Sequence, residues 1–469
     1  MATVEHEGVG PGRIDMLGGV ADYSGSLVLQ VATRVCTTAL ASVEAAAAAA
    51  AAGEDGTALF ESEGFGAGVR VSLAPLRAAL AAPGGHAALE LAGVRAFLAA
   101  MQPEPAPGWV RYMYGSLAAF VKATGWLPPP GALLRLRVRS SVPASQGVSS
   151  SASIEIATLR ALEGAAGIEL GKLRSAHMAQ SAENFVVGAP CGLMDQLASA
   201  LGAPGRVLPI LCRPDGVRDL VPLPDAVCLV GWPSGVKHSV AASPYLVART
   251  ATFMGRAIVE RLLAAKDARD AAAAAAAGGA AAGGAAAAST PSAPRRALAH
   301  IAELTPSDLA VVLDDVPERM TGAAFLAEFG GVADALSVID PAHEYLVRAS
   351  ARFPVEESFR CALALALLQA LPSLAPGGAA YVDALSHIGE LMRQSHRGYG
   401  SIGLGCHETD VMLERLAALG PARGIYGARM SGGGSGGTVA VLLERSALPQ
   451  LEALARELTF GAPFTGLIF

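Results

Sequence analysis

The sequence predicts a fold of mixed strands and helices, because both periodicities occur along it. Leu133–Val138 alternates apolar residues with two arginines, which is typical of a half-buried strand, and Ile154–Leu162 carries apolar residues at helical spacing. Val227–Val230 and Thr438–Leu443 are apolar runs of strand length in the second half of the chain. We therefore expect strands in both halves, with at least one helix in the first.

Length and composition indicate more than one hydrophobic core. The chain has 469 residues, of which 52% are hydrophobic, and we predict two domains, at residues 1–224 and 225–469. Two alanine-rich tracts, Ala45–Ala52 and Ala271–Pro294, offer little surface to bury, and glycine pairs interrupt the second. We expect both tracts to be exposed insertions, the second at about residues 268–296; a partner-binding arm is the alternative.

Charge and cysteine content exclude several classes of function. The net charge of −6 comes from acidic residues spread along the chain without a basic run, so we expect neither nucleic-acid nor membrane partners. The six cysteines lack the spacing of a metal knuckle or a disulfide framework, and Met1–Gly8 lacks the apolar stretch of a secretory signal. The positive mean hydropathy comes largely from alanine, so we predict no transmembrane helix and a cytoplasmic, monomeric protein.

Three glycine- and serine-rich segments indicate a phosphate-binding site. They are Pro11–Gly19, Val142–Ala152 and Met430–Thr438. The middle segment lies between the predicted strand and the predicted helix, so its small residues would run into a helix N-terminus. Such a terminus has unpaired backbone N–H groups and a partial positive charge, which together bind phosphate. Serine also caps ordinary helices, so the segment alone leaves both interpretations open.

The order and spacing of the three segments resemble the GHMP small-molecule kinases. The stretch Gly188–Gln196 is similar to the galactokinase branch of that family. The resemblance implies an α+β fold of two domains, a ribosomal S5 domain 2-like N-terminal domain and a ferredoxin-like C-terminal domain, with the active site in the cleft between them. It also implies ATP as co-substrate, Mg²⁺, and a sugar as the small-molecule substrate.

The same resemblance assigns the phosphoryl-transfer residues. Asp195 matches the aspartate that receives the proton of the anomeric hydroxyl, and Arg13 would pair with it; a structural ion pair is the alternative. Ser151 and Glu183 match the Mg²⁺ ligands, which are otherwise a helix cap and a solvated helix face. Residues matching the ATP site are Gly147, Val148, Ser149, Ser150, Ser151, Ala152, Trp109, Tyr112, Gly432, Gly433 and Gly434. The two aromatic residues could equally belong to an ordinary helix packing face.

The predicted sugar site departs from that of galactokinases in its first segment. Gly19 and Val20 stand where galactokinases carry an acidic residue and a histidine that meet the exocyclic hydroxymethyl group. A buried hydroxyl left unpaired costs about 1–3 kcal/mol, so a pentose is favoured over a hexose. The wider segment is similar to that of the L-arabinose kinases within the branch, which implies transfer to the anomeric hydroxyl of L-arabinose. The other matched sugar contacts are Asp22, Cys191, Gly192 and Tyr245.

Other functions remain open at this stage. A galactokinase or an N-acetylgalactosamine kinase would need polar groups at positions 19 and 20, and a uronic acid kinase would need a basic residue near them. Sugar sensors of this family bind ATP and sugar with little turnover and lack the Ser-Ala pair that ends the middle segment. Ser151 and Ala152 are present here, which favours an enzyme.

Overall fold

The computed structural model describes the chain except residues 1–3, 45–55, 65, 67, 102–103, 105, 214–215, 237–243, 279–296 and 461–464. Its strands are β1 (His6–Leu17), β2 (Leu27–Glu44), β3 (Thr57–Ser62), β4 (Val69–Ser72), β5 (Leu133–Ser140), β6 (Arg206–Leu211), β7 (Gly216–Val217), β8 (Val221–Pro222), β9 (Val227–Pro233), β10 (Met320–Thr321), β11 (Glu344–Tyr345), β12 (Ile425–Met430) and β13 (Thr438–Glu444).

Thirteen α-helices lie within the described residues. They are α1 (Ala74–Ala81), α2 (Leu91–Ala99), α3 (Gly108–Thr124), α4 (Ser150–Ala166), α5 (Lys172–Ser181), α6 (Met194–Leu201), α7 (Pro244–Gly278), α8 (Pro306–Leu313), α9 (Gly322–Phe329), α10 (Val347–Ala370), α11 (Ala379–Ser401), α12 (His407–Leu419) and α13 (Leu448–Glu457). A π-helical turn, Ala182–Val187, extends α5, and Gly19–Ser24 forms a 3₁₀ turn after β1.

The first half of the chain forms an eight-stranded sheet around the long strand β2. The order is β4-β3-β5-β2-β6-β7, with β1 also paired to β2 and β8 to β6, and only β3 and β5 run parallel. The apolar face of this sheet packs against α3 and α4 through residues such as Leu136, Leu117 and Ile156. These residues alternate along the strand and recur at helical spacing along the helices, so each element buries one face.

The second half contains a three-stranded antiparallel sheet, β12-β13-β9, and most of the long helices. The two halves share a core, because Ile14 and Leu29 of β1 and β2 are buried in one cluster with Leu385 of α11 and Leu442 of β13. Strand β1 therefore lies at the boundary between the two sheets. Residues of β1 can therefore contact groups from both halves of the chain, and the candidate site forms around this strand.

The predicted elements correspond to observed ones with longer bounds. The predicted strands occur as β5, β9 and β13, and the predicted helix is α4. Most of the first glycine-containing segment lies within β1, which runs from His6 into this segment as far as Leu17. Arg13 and Asp15 lie on one face of this strand, and its pairing with β2 shows a register shift between Asp15 and Leu17.

The α+β prediction is confirmed, and the division at residue 224 stays a prediction. The tract Ala45–Ala52 lies outside the described residues. Residues 271–276 are the exposed end of α7, which ends at Gly278, the first glycine of a pair; residues 279–294 are outside the described part. Across the described residues, no helix combines the length and apolar content needed to cross a bilayer.

Candidate active site

The three glycine- and serine-rich segments meet in the structure. The backbone N–H of Arg13 donates to the carbonyl of Val148 at 3.0 Å, which joins the first segment to the second. The hydroxyl of Thr438 donates to the carbonyl of Gln146 at 2.7 Å, and the hydroxyl of Ser431 donates to the carbonyl of Gly147 at 3.4 Å. These two bonds join the third segment to the second. Segments more than a hundred residues apart therefore line one cleft.

The backbone of these segments is held in conformations that side chains rarely adopt. Within the described residues, the non-glycine residues with positive φ are Ser145, Ser149 and Ser435, and all three lie in the second or third segment. Left-handed backbone in a non-glycine residue costs free energy and is concentrated at functional sites. Ser149 stands directly before α4 but its side chain does not cap that helix. The backbone of Ser149 thus occupies the N-cap position of α4 without a capping hydrogen bond from its side chain.

The Ser149 side chain instead belongs to a cluster around Asp195. Its hydroxyl donates to Asp195 Oδ2 at 2.5 Å, and the Arg13 guanidinium lies 2.7 Å and 2.9 Å from Oδ1 through Nη2 and Nε. A third Arg13 nitrogen donates to the carbonyl of Gly147 at 2.7 Å. Asp195 is in the first turn of α6, where the helix dipole also favours a negative charge. The Arg13 guanidinium and the Ser149 hydroxyl thus fix the orientation of the Asp195 carboxyl group at the mouth of the phosphate loops.

A second acidic group lies deeper in the cleft. Glu183 is buried in the π-helical turn, where it accepts hydrogen bonds from Ser151 and, at 2.6 Å, from Gln196 Nε2. Burial first, and then the charge of Asp195, raise the pKa of Glu183 to about 7. Burial and the charge of Glu183 also raise the pKa of Glu155 well above its usual value. Among the described residues, no lysine or arginine side chain forms an ion pair with Glu155 or Glu183.

The donor atoms at Ser151 and Glu183 fit Mg²⁺. Both are hard oxygen donors in contact with each other. Burial and the charge of Asp195 raise the pKa of the Glu183 carboxyl, and a bound cation would offset both effects. No group of three or more acidic, histidine or cysteine side chains in the described part of the chain could hold a metal by itself. Mg²⁺ typically takes one or two protein oxygens and completes its shell from phosphates and water.

A cavity of about 250 Å³ adjoins these groups. Arg13, Ser150, Ser151, Glu183, Asp195 and Gly433 line it together with Tyr112. Tyr112 thus reaches the cavity from the first turns of α3, whereas Trp109, one turn earlier, packs against the N-terminal core. Val148 and Ala152 are buried behind the loop, so at these two positions any contact with a nucleotide would come from the backbone.

The predicted sugar contacts lie on the other side of Asp195. Asp22 is 6% exposed and packs directly on Gly192, where an added Cβ would lie 1.8 Å from Asp22 Oδ2, so this position requires glycine. Burial and then the charge of Asp195 raise the pKa of Asp22 to about 7. Tyr245 begins α7 and contacts the ring of Tyr23 edge-on, with centroids 6.0 Å apart. Cys191 and Gly192 line a cavity of about 280 Å³ with Asp22.

Gly19 and Val20 lie in an apolar corner of this region. Val20 is 2% exposed and belongs to a buried cluster with Tyr245, Tyr399 and Met430. The side of Gly19 that would carry a side chain faces the hydroxyl of Tyr399. Gly432 contributes its carbonyl, which accepts a hydrogen bond from that hydroxyl at 2.6 Å, and Gly434 packs on the Tyr399 ring. The third segment therefore serves this corner as well as the phosphate loop.

Several residues of the site were not predicted from the sequence. Asp15 and Arg429 form an ion pair that is entirely buried, and Gln30 and the backbone N–H of Gly19 also donate to Asp15. Asp15 could have been found, because it lies two residues after Arg13 on the same face of β1. Arg429 and Tyr399 carry no local signal, since they reach the site only through the packing of β12 and α11.

Comparisons with known proteins agree with this geometry. Residues 111–203 match the GHMP kinases N terminal domain, and residues 381–458 match the GHMP kinases C terminal domain. An L-arabinokinase of Arabidopsis thaliana is 31% identical over 92% of this chain, which spans 42% of the length of that relative. A galactokinase of Homo sapiens is 28% identical over 94% of this chain and 84% of its own.

Solved structures show the same fold. A Lactococcus lactis galactokinase complexed with galactose superimposes with a TM-score of 0.65 at 19% identity, covering 99% of this chain and 92% of its own. The Lin0012 protein from Listeria innocua gives a TM-score of 0.51 at 12% identity, covering 99% of both chains. Residues 111–203 and 381–458 of this chain are therefore similar to the two domains of GHMP kinases. The relatives of the chain include galactokinases and an L-arabinokinase.

Proposed function

We propose that this chain is an ATP-dependent sugar 1-kinase that phosphorylates the anomeric hydroxyl of L-arabinose, giving β-L-arabinose 1-phosphate and ADP. The observation that carries the proposal is the cluster of Arg13, Ser149 and Asp195 at the mouth of the phosphate loops. This cluster holds the Asp195 carboxyl group next to a cavity that Ser151 and Glu183 also line. Phosphoryl transfer requires this combination of a phosphate cradle and an oriented acceptor.

In the reaction, the anomeric oxygen of the sugar attacks the γ-phosphorus of ATP, and the bond to the β,γ-bridging oxygen breaks to release ADP. Asp195 accepts the hydroxyl proton, and Arg13 shares the negative charge that builds on the attacking oxygen and the phosphoryl group. The loop amides and the N-terminus of α4 bind the phosphates. Mg²⁺, held by Ser151, Glu183 and the nucleotide, supplies charge neutralisation when it is bound.

The sugar assignment rests on the corner at positions 19 and 20. Among the described residues, the polar side chains beside Gly19 and Val20 are already engaged: the Tyr399 hydroxyl bonds to the Val20 N–H and the Gly432 carbonyl, and Asp15 is paired with Arg429. Asp22 and Gly192 remain for ring hydroxyls. L-Arabinopyranose has the ring configuration of galactose without the sixth carbon, so it leaves no hydroxyl unpaired there. The L-arabinokinase relative supports this choice. Galactose is the second candidate, supported by the galactokinase relative that the chain covers most fully.

The test is ADP release by the purified chain with MgATP and one sugar at a time. L-Arabinose, D-galactose, N-acetyl-D-galactosamine and D-glucuronate are compared, and the product is identified as the 1-phosphate by NMR. We expect kcat/KM for L-arabinose to exceed that for D-galactose by about tenfold or more. A preference for galactose would refute the sugar assignment and leave the kinase intact. ATP and sugar binding with no turnover on any sugar would indicate a sensor.

A further inference from the structure

The space beside Gly19 is filled by a residue from the other half of the chain. Gly19 has a φ of +48°, and a Cβ added there would lie 1.8 Å from the hydroxyl oxygen of Tyr399 and 2.9 Å from Asp15 Oδ2. A side chain at position 19 and the present position of Tyr399 are therefore mutually exclusive. The glycine in the first segment and the tyrosine of α11 form one structural unit.

Tyr399 is held on every side. Its hydroxyl donates to the carbonyl of Gly432 at 2.6 Å and accepts from the backbone N–H of Val20 at 3.1 Å. Its ring contacts Phe353 edge-on, with centroids 5.6 Å apart, and the Arg429 guanidinium lies 4.8 Å from its centroid. The residue has no exposed surface. The donor of its hydroxyl is thus already used and is out of reach of a ligand.

The same hydroxyl occupies two backbone groups that could otherwise bind a ligand. The N–H of Val20 and the carbonyl of Gly432 are a donor and an acceptor directed at one point, and Tyr399 satisfies both. Ile402 and Leu404 in the same buried cluster are apolar, and the Asp15 carboxylate beside Gly19 is paired with Arg429. An exocyclic hydroxyl that entered this corner would lose its hydrogen bonds to water and would find the Val20 N–H and the Gly432 carbonyl already occupied.

We propose that Tyr399 is a specificity-determining residue that closes the sugar pocket at the corner of Gly19 and Val20, so that pyranoses without a hydroxymethyl arm are selected. The inference rests on the proposed function for the identity of the sugar. It differs from the missing polar side chains of the first segment, because it assigns the selection to a bulky group that fills the corner. The removal of Tyr399, rather than the addition of polar groups alone, should then admit a hexose.

The experiment compares three variants by the ratio of kcat/KM for L-arabinose to that for D-galactose. Val20→His alone supplies a polar group without space, and we expect the ratio to stay within about twofold of wild type. Tyr399→Leu combined with Val20→His supplies both the polar group and the space. We expect this double variant to lower the ratio at least about tenfold, mainly through a lower KM for galactose. Tyr381→Leu is the matched control, since Tyr381 is a buried tyrosine of the same helix that packs in the shared core.

The wild-type ratio separates the two proposals. If the wild type prefers L-arabinose but the double variant keeps the wild-type ratio, or Val20→His alone lowers it tenfold, the role of Tyr399 is refuted and the sugar assignment stands. If the wild type prefers galactose, the sugar assignment itself fails.

A conservative variant covers the case in which the double variant does not fold. Tyr399→Phe keeps the ring and frees the Val20 N–H and the Gly432 carbonyl, so we expect KM for galactose to fall about threefold relative to that for L-arabinose. An unchanged or higher relative KM for galactose would overturn the inference.

Discussion

The two ends of the candidate site differ in the polarity of the residues that form them. At the phosphate end, Arg13, Ser149 and Asp195 hold polar and charged atoms in a hydrogen-bonded cluster that faces an open cavity. At the sugar corner, Val20 and Tyr399 belong to a buried apolar cluster whose polar atoms already bond to each other. The first arrangement suits a reaction in which charge develops, and the second suits discrimination by shape.

Under the proposed function, the phosphate end binds the triphosphate of ATP, so its groups follow from the chemistry of that ligand, and the corner of Gly19 and Val20 meets the sugar. The two ends are connected through β1, the turn that follows it and the third segment. In the third segment, Gly432 accepts a hydrogen bond from Tyr399 and Ser431 donates to the carbonyl of Gly147.

The largest expected effect is at the phosphate end. Asp195→Asn keeps the shape of the side chain and removes its ability to accept a proton, so we expect kcat to fall about 10²–10⁴-fold, with the dissociation constant for MgATP changed less than about threefold. Steady-state kinetics measure kcat, and a titration with a fluorescent nucleotide measures the dissociation constant for MgATP. Asp383→Asn, an exposed position on α11, is the control. An unchanged kcat would remove Asp195 from its role as the base.

We expect an effect of intermediate size at Asp22, whose carboxyl interacts electrostatically with Asp195 at the phosphate end. The folded-state pKa of this carboxyl is raised to about 7, so the folded protein holds more protons than the unfolded one between about pH 4 and 7. The free energy of unfolding therefore falls as pH rises through that window and does not recover above it. Asp22→Asn should raise the free energy of unfolding at pH 8 by about 1–4 kcal/mol, with little change at pH 4.

Urea denaturation at both pH values measures this change. An ionised Asp22 is a stronger hydrogen-bond acceptor than a protonated one, so the proposed function predicts that KM for the sugar also falls as pH rises through about 7 in the wild type. The asparagine variant should be more stable at pH 8 and bind the sugar more weakly. Equal free energies of unfolding for wild type and variant at pH 8 would contradict the conclusion that the buried Asp22 carboxylate destabilises the folded protein.

The smallest expected effect concerns Tyr112 and Trp109, the two aromatic residues of the predicted nucleotide site. Tyr112 lines the cavity and Trp109 packs against the N-terminal core. We expect Tyr112→Ala to raise KM for ATP about three- to tenfold at nearly unchanged melting temperature. Trp109→Ala should chiefly lower the melting temperature, because it removes buried apolar area. A larger change in KM for ATP from Trp109→Ala than from Tyr112→Ala would show that both aromatic residues, or the tryptophan alone, contact the base.

Local sequence determined the elements and the phosphate end of the site. Apolar alternation identified β5, apolar runs of strand length identified β9 and β13, and helical spacing identified α4. The small residues of three segments indicated backbone that approaches a phosphate closely. The residue types in these segments are dictated by backbone geometry and by the chemistry of the nucleotide. A sequence displays both, since each depends on neighbours a few positions away.

The tertiary structure decided the sugar corner. The sequence shows a glycine at position 19, and only the packing of α11 against β1 and the third segment shows that Tyr399 fills the space beside it. The buried pair of Asp15 and Arg429 joins residues 414 positions apart in the chain. Their contacts depend on how two sheets and a helix pack around β1. No local pattern records that packing, so specificity at this corner follows from the fold rather than from any one motif.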